Sequence, residues 1–236
     1  ALGMSRIKIP SGEITNYPFI RHLARKDLPL ILSTGMASLA EIQDATAVIS
    51  AERAASGLCQ PLADVLTVLH CTSNYPADLV DVNLRAMRTI ASAIEVPVGY
   101  SDHTLGVAVS TAAVALGATV IEKHFTLDKA MSGPDHKASL EPKELAAMIG
   151  QIRAVEKALG DVIKQPTSAE LPVRALVRRS VTSYRDLNAG VPLQIDDVCL
   201  LRPGTGIPPC ELDYVVGRVL ARPVTAGTTL NWNDFM

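Results

Sequence analysis

Apolar residues in the first two thirds of this chain gather into five short, unbroken runs, at 6–10, 30–33, 65–71, 96–100 and 120–125. A strand with one face in water alternates apolar with polar residues, so unbroken runs predict strands covered on both faces, as in a parallel sheet. Helical stretches with start and stop signals separate them. Asn16 precedes Pro18 near a first helical turn, and Ser38-Leu39-Ala40-Glu41 has the pattern of a capping box. Asp81 or Asn83 opens a further helix, and 107–116 is an apolar helix closed by Gly117. Glu141-Pro142 opens the last one, which ends at Gly160. Strand–helix repeats of about 30 residues predict an α/β fold of the (β/α)8 TIM-barrel type. That barrel needs eight strands, and the pattern supplies five, beginning almost at residue 1. The expectation is a chain that starts inside an enzyme and lacks the first three strand–helix units. A doubly wound open sheet is the alternative, but no glycine-rich dinucleotide loop supports it.

The texture changes after 1–160. Residues 161–173 contain Gln165-Pro166-Thr167-Ser168 and Pro172 and read as a linker. From 174 to 236 the chain offers short β-rich pieces with Pro and Gly turns and no long helical pattern. It also echoes itself: 189–198 and 226–235 each carry a Gly turn, an apolar anchor and an Asp-containing turn before another apolar residue. Two such arms predict a small pseudo-symmetric β domain near the lower size limit for independent stability.

Composition narrows the function classes. The 236 residues are 48% hydrophobic and carry a net charge of −2, which leaves no electrostatic footprint for nucleic acid or an anionic membrane. No apolar run reaches the roughly 18–20 residues of a membrane span, and no signal peptide is visible. The cysteines Cys59, Cys71, Cys199 and Cys210 show no paired spacing, which suits a reducing, cytoplasmic compartment and argues against a structural zinc knot.

Chemistry concentrates where the predicted strands end. Gly-Tyr-Ser-Asp-His at 99–103 and Val-Ile-Glu-Lys-His at 120–124 each finish in a histidine. Alternate strand residues share a face, so Ser101 goes with His103, and Glu122 with His124, on neighbouring strands. Two imidazoles and a carboxylate at strand carboxyl ends form a divalent-metal site; two packed, hydrogen-bonded histidines are the simpler alternative. Lys8 lies between Ile7 and Ile9, with Ser11, Gly12 and Glu13 just beyond, a composition suited to gripping a phosphate. The alternative is an edge strand with Lys8 in water. Ser33-Thr34-Gly35 and Cys71-Thr72-Ser73 repeat the small hydroxyl pattern at two more strand ends, where a barrel builds its site. His70 reads as core or as support behind the site, and His22 as structural. Asp135 and His136 sit in a loop long enough to fold over a site, Arg178-Arg179 read as a solvated pair, and Arg202 lies in a stiff Pro-Gly loop suited to presenting a guanidinium.

Taken together, Lys-Ile-Pro-Ser-Gly-Glu-Ile-Thr-Asn at 8–16, Leu-Ser-Thr-Gly-Met at 32–36, Leu-His-Cys-Thr-Ser-Asn-Tyr-Pro at 69–76, Gly-Tyr-Ser-Asp-His-Thr at 99–104, Ile-Glu-Lys-His-Phe-Thr at 121–126, Gly-Pro-Asp-His at 133–136 and Arg-Pro-Gly-Thr-Gly at 202–206 resemble the N-acetylneuraminate (sialic acid) synthase family. The resemblance runs in order along nearly the whole chain. It implies a (β/α)8 barrel followed by an antifreeze-like (SAF) domain. It also implies condensation of phosphoenolpyruvate with an N-acetylmannosamine-type sugar, releasing phosphate; legionaminic and pseudaminic acid synthases share the scaffold. Carried over by motif, Lys8, Ser11, Ser33, Ser73 and Ser101 would hold phosphoenolpyruvate, with Ser73 standing where some members have asparagine. His103 and His124 would bind manganese or magnesium, which acts as a Lewis acid on the sugar's aldehyde oxygen. Glu13, Tyr75 and Asp135 would contact the sugar. Glu122 would lie beside the metal and the reacting carbonyl, so that Glu122, Lys8 and Glu13 are the expected catalytic residues. Arg202 would reach the barrel of the other subunit in a domain-swapped homodimer. The family pattern also uses residues from the first three strands, including a glutamate and another lysine, which this chain does not contain.

Two rivals compete. A different metal-dependent barrel aldolase or isomerase explains the histidines but not the Lys8–Ser11–Glu13 grip or the tail. An ice- or carbohydrate-binding module would need a regular threonine face, and Thr205, Thr225, Thr228 and Thr229 have no regular period.

Overall fold

A computed structural model describes residues 3–236; the first two residues of the 1–160 unit lie outside them. The chain divides into two compact units, one ending at Asp161 and the other Val162–Met236.

The first unit is a parallel sheet of five strands in sequential order. They are β1 (Ile7–Ile9), β2 (Leu30–Ser33), β3 (Leu66–Cys71), β4 (Val98–Asp102) and β5 (Ile121–Lys123). The helices are α1 (Tyr17–Ala24), α2 (Leu39–Ala55), the one-turn α3 (Leu62–Val65), α4 (Ala86–Ile94), α5 (Ala108–Ala115) and α6 (Pro142–Leu159). β2 coincides with its apolar run, and the other four strands are shorter than theirs or shifted. Val65 closes α3 instead of opening β3, and β4 starts two residues late and reaches Asp102. Phe125 falls beyond β5, in a parallel bridge to Leu140. The start signals hold at Asn16, whose side chain accepts from Phe19 N, at the Ser38–Glu41 capping box and at Glu141. They fail for α4. Leu79–Asp81 is a 3-10 turn, Asn83 has φ 45°, and the helix opens at Arg85. A residue in the left-handed region breaks helical geometry, so the helix cannot begin before it.

One face of the sheet, with Ile9, Leu30, Leu32, Val68, Val98 and Tyr100, packs in the main core together with helix residues such as Ile20, Ile42, Ile49 and Met87. The other face is concave. Four strand spacings of about 4.8 Å would set β1 and β5 roughly 19 Å apart in a flat sheet. Yet Lys8 on β1 and Glu122 on β5 form an ion pair of 2.9 Å, so the sheet must curve as an arc of a barrel does. Among the described residues β1 and β5 each have a single hydrogen-bonded strand neighbour.

Val162–Met236 differs from expectation at its start. Residues 170–173 of the expected linker are helical, in α7 (Glu170–Val177). Thr167 and Glu170 cap each other: Thr167 N and Oγ1 donate to Glu170 Oε2, and Glu170 N donates back to Thr167 Oγ1. Pro172 lies in the first turn, where a missing N–H costs nothing. Beyond it come the antiparallel pair β6 (Ser180–Ser183) and β7 (Val198–Leu201), the one-turn α8 (Leu212–Val215), and bridges such as Leu187–Val224 and Leu220–Phe235. The core gathers Val181, Leu193, Ile207, Val215, Leu220 and Leu230.

The internal echo is physical. Arg185 Nε donates to Asp197 Oδ1 at 2.7 Å, while Gln194 N donates to Asp197 Oδ2 at 2.8 Å. The second arm repeats this with Arg222, Asn231 and Asp234 at 2.7 and 2.8 Å. Both carboxylates are buried. Asp197→Ala and Asp234→Ala should therefore cost similar amounts, about 1–3 kcal/mol each, because each removes a buried carboxylate that accepts from a backbone N–H and an arginine. Thermal unfolding of the two variants checks this, and an unchanged midpoint in either refutes it. The Gln194 N–H, followed by Arg185, holds the Asp197 carboxyl below its ordinary range. Its contribution is therefore complete above the ordinary carboxylate pKa and is lost as pH falls through the lower folded-state value. No helix among the described residues is long and apolar enough to cross a membrane.

Candidate active site

The concave face of the sheet holds a cavity of about 600 Å³ at the carboxyl ends of the strands. Lys8, Ser11, Ser33, Ser73, Tyr75, Ser101, His103, Glu122 and His124 all line it. The period of two in the strands puts Ser101 and Glu122 on this face in register with each other. Lys8, half-exposed rather than immersed, reaches over from β1. Its ammonium and the Ser101 hydroxyl both donate to Glu122 Oε1, at 2.9 and 2.8 Å.

The hydroxyls form a cradle around a close backbone approach. Gly35 N donates to Ser11 Oγ at 2.9 Å. A Cβ on Gly35 would stand 2.1 Å from Ser73 Oγ, 3.0 Å from Ser11 Oγ and 3.2 Å from Cys71 Sγ, so a side chain here would displace the cradle. Ser33 Oγ is buried with no hydrogen-bond partner. A buried hydroxyl left unpaired on a cavity wall calls for a ligand or water to satisfy it. One ammonium and four hydroxyls suit a phosphate or carboxylate.

At the other side of the cavity His103 Nδ1 lies 3.0 Å from the Thr72 carbonyl and 3.7 Å from Cys71 Sγ. The carbonyl requires Nδ1–H as donor, which leaves Nε2 with its lone pair. Burial pushes the His103 pKa down, and the neighbouring His124 adds to this against the Thr72 hydrogen bond. The two imidazole centroids are 5.5 Å apart, and the Tyr75 ring is 4.1 Å from His103 and 5.6 Å from His124. Burial raises the Tyr75 pKa, with Cys71, Asp135 and Glu122 contributing. Neutral imidazole nitrogens beside a carboxylate suit a borderline divalent ion. Among the described residues no three His, Cys, Asp or Glu converge to enclose a metal. A metal held here would sit in an open site, completed by water or substrate oxygens.

Three expected site residues lie elsewhere. Glu13 does not line the cavity; it accepts from Asn16 Nδ2 at 2.6 Å. Asp135 is exposed on the loop after β5, near enough for its charge to act on Tyr75, and its carbonyl accepts from Ser139 Oγ at 2.8 Å. Arg202 belongs to the second unit, where it is exposed and its Nε donates to the Val177 carbonyl at 3.0 Å. His70 faces away from the cavity toward Val82 O, at 2.8 Å. Pattern reading placed Gly35, Met36, Cys71 and Thr72 inside motifs but gave none of them a role of its own. Thr34-Gly35 following an apolar run was the available signal for Gly35. Met36, with φ 67°, had none.

Comparison with known proteins identifies the family of both units. Residues 1–164 match the NeuB family model and residues 178–236 the SAF domain. The chain is 53% identical over 232 residues to an N,N'-diacetyllegionaminic acid synthase of Legionella pneumophila, covering 98% of this chain and 64% of that protein. It is 35% identical to the human N-acetylneuraminate-9-phosphate synthase over 97% of this chain and 62% of that one. A sialic acid synthetase crystal structure from Leptospira borgpetersenii superposes with a TM-score of 0.64 at 36% identity, covering 72% of this chain and 56% of that one. The chain thus spans a little under two thirds of the length of these curated relatives.

Proposed function

The chain belongs to the NeuB family, and from that premise we propose that it forms the phosphoenolpyruvate-binding part of a nonulosonic acid synthase. The reaction joins C3 of phosphoenolpyruvate to the aldehyde carbon of an open-chain N-acetylated hexosamine. Water adds to C2, and the carbon–oxygen bond to phosphate breaks. The observation that carries this reading is the single cavity in which Lys8 and the hydroxyls of Ser11, Ser33, Ser73 and Ser101 face Glu122, His103 and His124. Lys8 and the hydroxyls bind the phosphate and carboxylate in a chain with no net positive charge. Glu122, beside the reacting carbonyl, holds or returns the proton that the aldehyde oxygen takes up. His103 and His124 hold a divalent ion, manganese or magnesium, which when bound polarises the aldehyde. Tyr75 and Asp135 face the sugar, and Glu13 takes part once it leaves Asn16. Arg202 serves the cavity of a second copy in a domain-swapped homodimer.

The higher identity to a diacetyllegionaminic acid synthase, 53% against 35% for the human enzyme, favours a hexose with two acetamido groups over N-acetylmannosamine. Phosphate release by the intact protein, offered phosphoenolpyruvate with each sugar in turn, tests both levels. No release with any N-acetylated hexosamine overturns the synthase reading, and preference for N-acetylmannosamine overturns the choice of sugar. Gly35→Ala should raise the KM for phosphoenolpyruvate about tenfold or more, since its methyl group takes the space of Ser73 Oγ and disturbs one or two charge-assisted hydrogen bonds of about 1.5–3 kcal/mol each. An unchanged KM would remove the cradle from phosphate binding.

A further inference from the structure

On the convex face of the sheet, directly behind the two histidines, lies an ion pair that the proposed chemistry does not use. Lys123 Nζ stands 3.0 Å from Asp102 Oδ2, with side-chain exposures of 3% and 0%. Each of its charged atoms has partners. Asp102 Oδ1 accepts from Thr104 N and Thr104 Oγ1 at 2.9 and 2.8 Å, Oδ2 accepts from Ser110 Oγ on α5 at 2.5 Å, and Lys123 also donates to the Thr104 carbonyl at 2.7 Å.

Burying two charges costs several kcal/mol each, and an apolar pair of the same shape often stabilises a fold as well. Such a pair is therefore better explained by what it fixes than by stability. Its position is informative. Asp102 lies between the inward-facing Ser101 and His103, and Lys123 between the inward-facing Glu122 and His124. The β4–β5 ladder runs Tyr100–Ile121, Ser101–Glu122, Asp102–Lys123 and then stops. His103 and His124 are the first residues past it, and no ladder hydrogen bond spaces them.

We infer that the Asp102–Lys123 pair is a positioning pair that locks the last register of the β4–β5 ladder and so sets the spacing of His103 and His124. A slip of β5 by one residue would turn His124 to the opposite face while β4, held by β3, keeps His103 inward, and a loosened ladder end would let the two drift apart. The inference rests on reading the histidines as metal ligands.

The neutral double variant Asp102→Asn/Lys123→Met keeps shape, and its amide can still accept from Thr104 and donate to Ser110. The single variants should lower the unfolding temperature, because each leaves a buried charge alone. The double variant should regain most of that loss, yet bind Mn2+ at least tenfold more weakly than wild type in chelator competition. Ser110→Ala, which keeps both charges but removes one hydrogen bond to the buried carboxylate, should lower the unfolding temperature less than the single variants and weaken Mn2+ binding less than the double variant, and it takes the double variant's place if that does not fold. Wild-type Mn2+ affinity in the folded variants overturns the inference. If the wild-type protein itself shows no saturable Mn2+ binding, the metal reading falls instead. The metal-free imidazole NMR signals of His103 and His124 then judge the pair: broadened or doubled signals in the variants support it, and unchanged ones overturn it.

Discussion

Glu122→Gln is expected to lower kcat about 10²-fold or more while the KM for phosphoenolpyruvate changes by less than tenfold. Glutamine keeps the shape of the side chain and an oxygen that can accept from Lys8 and Ser101, the two donors that converge on Glu122 Oε1. What it loses is the negative charge and the ability to hold a proton. If Glu122 only propped up Lys8, the neutral isostere would release the ammonium for the phosphate and the KM would move more than kcat. If Glu122 acts on the reacting carbonyl, kcat carries the loss. Initial rates of phosphate release over a range of phosphoenolpyruvate at saturating sugar separate the two, and a kcat within threefold of wild type removes Glu122 from the chemistry.

His103→Ala and His124→Ala should each abolish measurable turnover and weaken Mn2+ binding by about 10²-fold, because an open site with two protein nitrogens has none to spare. The variants should differ in stability. His103 is 7% exposed and hydrogen-bonded to the Thr72 carbonyl, so its loss orphans a backbone acceptor and leaves a gap beside Tyr75. His124 is half-exposed, with the rings of Tyr75 and His103 as its neighbours, and its loss should barely move the unfolding temperature. Acid competes with metal for the same lone pairs, so affinity should fall with pH. Burial keeps His103 unprotonated to lower pH than a free histidine, and its share of that fall belongs below the ordinary value near 6.5. Titrations of both variants with Mn2+ at two pH values check this, and unchanged affinity in both would leave the histidines as packed aromatic residues.

The sequence by itself determined the order of elements and the faces of the strands. Unbroken apolar runs mark strands buried on both sides, and the period of two makes Ser101, His103, Glu122 and His124 inward-facing without any knowledge of what they meet. The 37-residue echo between Asp197 and Asp234 was equally legible, because each arm is a local turn with its own capping carboxylate. Boundaries were less so. Asn83 looks like a helix opener in the chain, but its left-handed backbone delays α4 to Arg85. Residues 167–173 look like a linker because Pro172 is counted as a breaker, although in a first turn it breaks nothing. Only tertiary structure could bring Lys8 to Glu122 across 114 residues, since that contact depends on the curvature of the whole sheet. The same holds for Gly35, whose necessity comes from Ser73 and Ser11 beyond the ends of other strands, and for Asp102 with Lys123, whose charges the packing of α5 encloses. Local pattern is set by neighbours a few residues away. Sites are set by curvature and burial, which no window along the chain contains.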